Sequence, residues 1–368
     1  MATLFVLCLA AQAAAHEIQA SVADISIAGG TVRLAISTNL EARLAGIGTE
    51  HDDTDDAPQS ERYDALRRLE PDALKGELDA FYLQRTLIVR AGDERVAFAL
   101  VNSEIPPVGD LALARTSQLT FEGALPSGAS AVTVQAPDWG DFILRGTGEN
   151  EAYSEFLQGQ SSQAIAVTGR TERGFGEVFV QYLGVGFEHI VPLGLDHILF
   201  VVGLFLLAPC IRPLLWQVTA FTLAHTVTLA LGALDVVRVP GSVVEPLIAL
   251  SIVFVAVENI LARGLSPWRP MLVFAFGLLH GLGFASVFEA YGIPEGQFTA
   301  SLLAFNIGVE GGQLLVLAVC FALVGLPFRD RPWYRAAVTV PGSLLVGAIG
   351  LYWTLVRTEM VPEFVPGL

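Results

Sequence analysis

Residues 187–203 read FEHIVPLGLDHILFVVG and place two histidines and an aspartate in a stretch that is otherwise as apolar as a membrane span. An ionisable side chain at the centre of a bilayer helix costs roughly 2.5 to 3.5 kcal/mol on insertion scales, so it persists where it faces a protein interior, pairs or binds something. This stretch therefore predicts a polar site inside a membrane protein. Pro192 and Gly194 indicate that the helix breaks there, which is tolerated where backbone lines protein or a polar cavity.

The composition of the whole chain favours the same class. The 368 residues are 53% hydrophobic, more than is usual for a soluble enzyme. The net charge of −16 is uneven, because residues 16–174 hold 25 acidic against 13 basic side chains and residues 175–368 hold 12 against 8. An acidic first half argues against a nucleic-acid partner. The three cysteines lie far apart in apolar segments, which excludes a disulfide framework and a CxxC metal site.

The first half of the chain predicts an exported β domain. Residues 1–15 form a short apolar run that ends in small residues, as a signal peptide does. Apolar and polar residues then alternate between 17 and 145, which is typical of strands, and residues 59–82 are predicted to be helical. We expect residues 16–149 to form an extracytoplasmic, mainly-β, sandwich-like domain with antiparallel strands.

The second half predicts a helical polytopic membrane domain. Residues 150–175 are rich in Gly, Ser and Gln and are predicted to be a linker, so that the transmembrane domain spans 176–368. Six apolar segments follow, each near or above the ~20 residues that cross a ~30 Å hydrocarbon core. The six are about 180–208, 212–234, 243–262, 270–290, 298–325 and 335–357.

The arginines of the connecting loops predict the orientation. If the first domain is exported, the first span runs from outside to inside, and most loop arginines then fall on the cytoplasmic side, as the positive-inside rule requires. Arg238 falls outside and Arg357 lies in the tail. The inner arginines are Arg212, Arg263, Arg269, Arg329, Arg331 and Arg335. This predicts a multi-pass protein of the bacterial cytoplasmic membrane with both termini outside.

Polar residues recur on single faces of these spans. His189 and Asp196 are seven residues apart, which returns to nearly the same helix face. Thr222, His225 and Thr226 share a face of the second span at i, i+3 and i+4. Further polar groups lie in the third, fourth and fifth spans: Ser251, His280 beside Gly277, Gly281 and Gly283, and the stripe of Asn306, Glu310 and Gln313.

With the predicted orientation these stripes meet at one depth, between the outer interface and the midplane. Imidazole with carboxylate is the ligand mixture that suits a divalent transition metal such as nickel, cobalt or zinc. The candidate metal ligands are His189, Asp196, His197, His225, His280 and Glu310, with supporting polar groups at Thr222, Thr226, Ser251, Asn306 and Gln313. Asp196 could bind the ion or orient a histidine. Glu258 and Asn259 suit a helix-end or interface pair better than ligands.

Four motifs in the helical half resemble the HupE/UreJ family of bacterial membrane proteins. They are GFEHIVPLGLDHILF at 186–200, FTLAHTVTL at 221–229, FGLLHGLGFA at 276–285 and FNIGVEGGQ at 305–313. The resemblance covers about residues 180–360. It implies a role in metal supply, since the family is associated with nickel for hydrogenase and urease and its best known members are regarded as nickel permeases. The short members lack the exported domain, so this chain resembles a long form.

Three functions are compatible with these residues. A permease would pass a nickel- or cobalt-class ion from outside through the intramembrane site, and Glu258 with Asn259 could then provide an exit step. An intramembrane zinc hydrolase would hold zinc on three histidines and use Asp196 or Glu310 as general base. An assembly module would use the polar groups only to join helices, which the number of histidines disfavours. The expected partners are the lipid bilayer and a metal ion, and transport is preferred.

Overall fold

The computed structural model describes residues 20–48, 54, 57–78, 87–109, 111, 114–136, 142–151, 153–157, 159–171, 173–262, 264–285, 288, 293, 296–358 and 360–361. These residues form two compact units, a β-rich one that lies mainly before residue 174 and a helical one that lies mainly after it. The predicted signal peptide, residues 1–15, falls outside the described residues.

In the described residues the β-rich unit contains two sheets, three short α-helices and a 3-10 turn, Gly148–Asn150. Its strands are β1 Ser21–Ala28, β2 Thr31–Thr38, β3 Ile88–Ala91, β4 Glu94–Arg95, β5 Phe98–Glu104, β6 Ser117–Ala124, β7 Ala131–Gln135, β8 Phe142–Gly146, β9 Ser154–Leu157 and β10 Ile165–Ala166. Its helices are α1 Leu40–Ala45, α2 Ser60–Arg67 and α3 Pro71–Glu77. The sheet orders are β5-β6-β2-β1-β8-β9 and β10-β7-β3-β4.

Alternation along the strands produces the core of this unit. Every second residue is buried throughout β2 and from Ser21 to Ile25 in β1, as the period of two in the sequence predicts. Ile25, Leu34 and Phe121 from the larger sheet belong to the same hydrophobic cluster as Val89 and Val134 from the smaller one. The predicted β-rich character is confirmed, while a sandwich-like stacking of the two sheets stays a prediction.

Three local expectations differ from the structure. The pairing is not wholly antiparallel, because β1 pairs with β8 in parallel. In the described part of the segment predicted to be helical at 59–82 there are two helices, α2 and α3, since Pro71 starts a new helix rather than continuing one, and residues 79–82 lie outside the described residues. The segment 150–175, predicted to be a linker, contributes β9 and β10 to the two sheets.

The helical unit contains seven helices in the described residues. They are α4 Phe175–Glu188, α5 Leu195–Leu207, α6 Ile211–Ala233, α7 Gly241–Leu261, α8 Arg269–Gly283, α9 Phe298–Phe328 and α10 Arg335–Arg357. A π-helical turn, Phe321–Gly325, lies within α9, and another, Arg335–Thr339, begins α10. The Val191–Pro192 peptide bond between α4 and α5 is cis.

Four of these helices are long and apolar enough to cross a membrane, so the expected six spans are not confirmed. The four are α6, α7, α9 and α10. The first predicted span divides into α4 and α5 around Pro192 and Gly194, as those two residues indicate. The 13 residues of α5 and the 15 of α8 extend only about 20 and 22 Å, less than the ~30 Å hydrocarbon core.

Glycines bring two pairs of helices into backbone contact. A Cβ on Gly277 or Gly281 of α8 would overlap the carbonyl oxygen of Phe221 or His225 on α6. On α9, a Cβ at Gly308 would overlap the Leu183 carbonyl oxygen of α4. Small residues permit this approach in membrane helices, as the glycines beside His280 predict. The two pairs, α6 with α8 and α4 with α9, position three histidines of the helical unit, His189, His225 and His280.

Candidate metal centre

Three histidines from different segments converge in the helical unit. His189 immediately follows α4, His197 lies in the first turn of α5, and His225 lies in the middle of α6. One ring nitrogen of each lies within 4.8 Å of those of the other two. Ligand nitrogens of a tetrahedral zinc site are about 3.3 Å apart, so movements of about an ångström would bring the three into coordination distance.

His280 of α8 extends this group to four imidazoles. Its ring centroid lies 4.8 Å from that of His197, and an equal distance separates the rings of His197 and His189. His197 is therefore the shared neighbour of the cluster. His225 is 0%, His280 1% and His197 3% exposed, so these three rings are removed from solvent.

The Nδ1 atom of three of the rings is held by an oxygen acceptor. His197 Nδ1 donates to Asp196 Oδ1 at 3.0 Å, and His280 Nδ1 donates to the Phe276 carbonyl at 2.9 Å. His225 Nδ1 donates to Asn306 Oδ1 at 3.1 Å. Such bonds fix the tautomer with the hydrogen on Nδ1, which leaves a lone pair on Nε2.

All four Nε2 atoms are buried without a hydrogen-bond partner. The unpartnered atoms belong to His189, His197, His225 and His280. A buried polar atom without a partner costs about 1 to 3 kcal/mol, and four within one cluster call for a common explanation. Histidines that bind metals usually donate their second ring nitrogen to a carboxylate, carbonyl or similar acceptor. The donor set fits a divalent transition metal.

Asp196 orients its neighbour in the sequence. Its Oδ1 accepts from the backbone N–H of His197 at 2.8 Å as well as from the ring. Asp196 is not part of the three-histidine group. Of the two roles that the sequence left open for this carboxylate, the structure contains the contacts of the orienting one.

Comparison with known proteins matches this architecture to one family. The model of the HupE / UreJ protein family matches residues 166–357, more than half of the chain. The chain belongs to the HupE/UreJ family. No curated protein and no solved structure gave a significant match. The resemblance carried by the four motifs is thus confirmed, and the family with its four apolar helices makes the chain a membrane protein.

Of the remaining predicted site residues of this HupE/UreJ protein, one contacts a histidine and the others make hydrogen bonds elsewhere in the helical unit. Asn306 contacts His225, as described. Thr226 and Ser251 bond carbonyl oxygens of their own helices, Thr222 and Ile248. Glu310, Gln313 and Thr222 form a separate set of contacts between α6 and α9. Glu310 is not part of the three-histidine group, so its role as a ligand of the same ion stays a prediction.

Glu258 and Asn259 join helices at some distance along the chain from the histidines. Asn259 Nδ2 donates to the Gly203 carbonyl at 2.7 Å and to Ser343 Oγ at 3.2 Å. Arg269 donates to Asn259 Oδ1 at 3.2 Å, and its Nη1 lies 3.4 Å from Glu258 Oε2. These contacts support the interface interpretation over an exit step, because neighbouring groups already occupy both side chains.

Aromatic rings that the sequence did not single out enclose the imidazoles. The Phe284 ring lies 4.1 Å from that of His189, and the Phe221 ring lies 4.9 Å from that of His280. Phe305 stacks on His225 with centroids 6.2 Å apart. Each of these phenylalanines lies within one of the family motifs, next to a polar or glycine residue. That position is the sequence signal from which its place in the site could be predicted. The rings exclude water and lower the local dielectric.

Substitution of Asn306 with alanine tests whether the oriented imidazole matters. Loss of the Oδ1 acceptor frees the His225 ring, and outer-shell changes of this kind typically cost 10- to 100-fold in metal affinity. We expect about a tenfold weaker metal affinity, measured by equilibrium titration of the purified protein in detergent. Asn306→Asp keeps an acceptor and should stay within threefold of the original protein. Equal losses in both variants would contradict an orienting role.

Proposed function

We propose that this HupE/UreJ protein is a permease for a divalent transition metal of the nickel or cobalt class. The ion is the cargo, and it binds to the buried imidazoles at 189, 197, 225 and 280. The observation that carries the proposal is the set of four unpartnered Nε2 atoms in one cluster, three of them on rings whose Nδ1 is anchored. Such a set is ready to accept a cation and has no other use among the described contacts.

The proposed orientation has the N-terminal domain outside the cytoplasmic membrane of a bacterium. Arg212 and exposed Trp216 begin α6, exposed Trp268 precedes α8, and Trp333 with Arg329 lies in the turn between α9 and α10. Successive spans alternate in direction, so these ends belong to one side. Tryptophan favours the interface and arginine the cytoplasmic side. The histidines of α5 and α6 then lie toward the outer face.

The alternative function, an intramembrane zinc hydrolase, has less support. Hydrolysis needs a general base within hydrogen-bond reach of a metal-bound water. Asp196 is engaged with the ring and backbone of His197, and Glu310 accepts from Thr219 outside the histidine group. Both carboxylates are thus engaged in other contacts, which supports the permease over the hydrolase. A permease needs only exchangeable ligands and a route onward.

Ion flux into proteoliposomes tests the proposal. We expect the reconstituted full chain to admit at least one of nickel, cobalt and zinc, with flux above that of protein-free vesicles. His225→Ala removes a buried ligand and should reduce the flux at least tenfold. Thr354→Val is the matched control, since the Thr354 hydroxyl bonds only the Gly350 carbonyl of its own helix. Tight stoichiometric metal binding without flux of any of the three ions would contradict transport.

A further inference from the structure

Glu310 is a carboxylate inside an apolar helix without a cationic partner. Two other carboxylates of the helical unit do have one, since Asp196 pairs with His197 and Glu258 with Arg269. Among the described residues, no Lys, Arg or His side chain lies within 4.0 Å of Glu310; its hydrogen bond comes from the neutral Thr219 hydroxyl at 2.7 Å. An ionisable side chain without a partner costs free energy within a membrane span, so it is by default a candidate functional group.

Two threonine side chains of α6 form hydrogen bonds to α9, and we call each of these bonds a polar rung. In the first, Thr219 Oγ1 donates to Glu310 Oε1. In the second, Thr222 Oγ1 lies 3.1 Å from Gln313 Oε1. The partners on each helix are three residues apart and therefore share a face. A carboxylate, an amide oxygen and two hydroxyls thus converge on one stretch of the interface between the two helices.

These rungs are displaced from the histidines toward the N-terminal end of α6. His225 is three residues from Thr222 and six from Thr219, which is about 4.5 and 9 Å along the axis. On α9, Glu310 lies one turn beyond Asn306, the residue that holds His225. In the proposed orientation this direction leads from the outer face toward the cytoplasm. In that orientation the oxygen groups therefore lie next to the imidazoles on their cytoplasmic side.

Oxygen and nitrogen groups hold transition-metal ions with different strength. Imidazole nitrogens suit nickel, cobalt and zinc, whereas neutral oxygens bind them less firmly and a single carboxylate supplies attraction by charge. Conduction requires sites strong enough to fill and weak enough to empty. An oxygen site directly beyond a nitrogen site meets both conditions, because an ion released from histidine is received by a negative charge.

We infer that Glu310, Thr219, Gln313 and Thr222 form a second cation site, to which an ion passes from the imidazole centre on its way inward. This inference rests on the proposed function and deepens it. The ligand is the same divalent transition metal, now bound by oxygen. Glu310 supplies the charge, Thr219 holds the carboxylate through its hydrogen bond, and the three neutral groups supply further oxygens. The two sites act in sequence, so loss of the second blocks flux while the first still binds.

Glu310→Gln separates the two sites experimentally. The substitution keeps the shape and the Thr219 hydrogen bond but removes the charge. We expect metal affinity at equilibrium, titrated in detergent with whichever of nickel, cobalt and zinc the original chain transports best, to stay within threefold. Initial flux of the same ion into proteoliposomes should fall at least tenfold. Thr219→Val, which removes one oxygen and the hydrogen bond, should also reduce flux and keep affinity.

Glu245→Gln is the matched control. It makes the same chemical change on α7, at an exposed position outside both sites, and should leave flux within twofold. Unchanged flux in Glu310→Gln overturns the second site. Parallel loss of affinity and flux also overturns it, because Glu310 would then belong to the imidazole centre. Failure of both Glu310→Gln and Thr219→Val to fold would mark these groups as structural and equally overturn it.

The failure of the proposed function gives a different pattern. Absent flux in the original chain, with all three ions, contradicts the permease before any variant is compared. Normal flux in the original chain, loss in His225→Ala and no change in Glu310→Gln would retain the permease and reject the second site alone.

Discussion

Replacing His197 with alanine is expected to weaken metal affinity at least 100-fold. The His197 ring lies 4.8 Å from both His189 and His280 and 6.0 Å from His225, so it is the one imidazole in reach of every other. Its removal also leaves the Asp196 carboxylate without the ring that it orients. Outer-shell losses alone cost 10- to 100-fold, and loss of a ligand should exceed them.

Competition titration against a chromophoric chelator measures this effect on the purified full chain. Val201→Ala is the packing control, because Val201 is 0% exposed on the same helix and bears no ligand atom. It should lower the unfolding temperature through its cavity while metal affinity stays within threefold. If His197→Ala bound metal as tightly as the original chain at unchanged unfolding temperature, the imidazole cluster would not be the metal site.

Replacing Gly308 with alanine is expected to disrupt the pairing of α4 with α9. The added methyl group would overlap the Leu183 carbonyl oxygen and crowd the Phe187 nitrogen, and these backbone atoms of α4 cannot move aside as the end of a flexible side chain can. Overpacking typically costs about 1 to 3 kcal/mol, and overlap with backbone belongs at the upper end. For a unit of this size that is a loss of about 5 °C or more in unfolding temperature.

Thermal unfolding in detergent, followed by helical circular dichroism, measures the change. The control, Gly311→Ala, lies three residues away on the same helix, where the new methyl would meet only the Phe187 ring at 3.7 Å. Since alanine favours helix over glycine by up to about 1 kcal/mol, this control should be neutral or slightly stabilising. Equal unfolding temperatures for the two variants would show that the close approach of α4 and α9 does not limit stability. Because His189 follows α4, Gly308→Ala should also weaken metal binding.

The histidine cluster could be predicted from sequence because it combines rare residues with a costly environment. Each of His189, His197, His225 and His280 stands in an apolar segment, where the bilayer penalises it, so a shared purpose was a sound inference. The charges of the loops and the lengths of the spans predict the depth of the histidines in the membrane. The anchoring of three Nδ1 atoms could not be predicted, since it depends on side-chain rotamers at Asp196 and Asn306.

Glu310 illustrates the limit of reasoning from depth alone. It shares a helix face and an approximate depth with Asn306, which suggested one site for both. The structure gives the two residues different partners on α6, His225 and Thr219. One helical turn separates them, and span boundaries read from hydropathy do not fix depth that finely.

The β-rich unit shows the same division between local and distant information. The alternation that predicts strands between 17 and 145 is local information, and in the strand Ala131–Gln135 it is complete within five residues. The parallel pairing of β1 with β8 joins segments more than a hundred residues apart, for which a single sequence carries no register signal. Strands of two residues, such as Glu94–Arg95, are too short for any periodicity.

The anchored imidazoles also determine which step contributes most of the free-energy cost of metal binding. An entering ion would displace no hydrogen bond of the protein, because none of the four Nε2 atoms has a hydrogen-bond partner to give up. The nitrogens need to move by only about an ångström and lose no hydrogen bond, so the main cost is stripping water from the ion. Hard ions such as magnesium and calcium lose strong oxygen ligands and gain poorly matched nitrogens. Selection against the most abundant divalent cations then follows from dehydration, without any filter of fixed diameter.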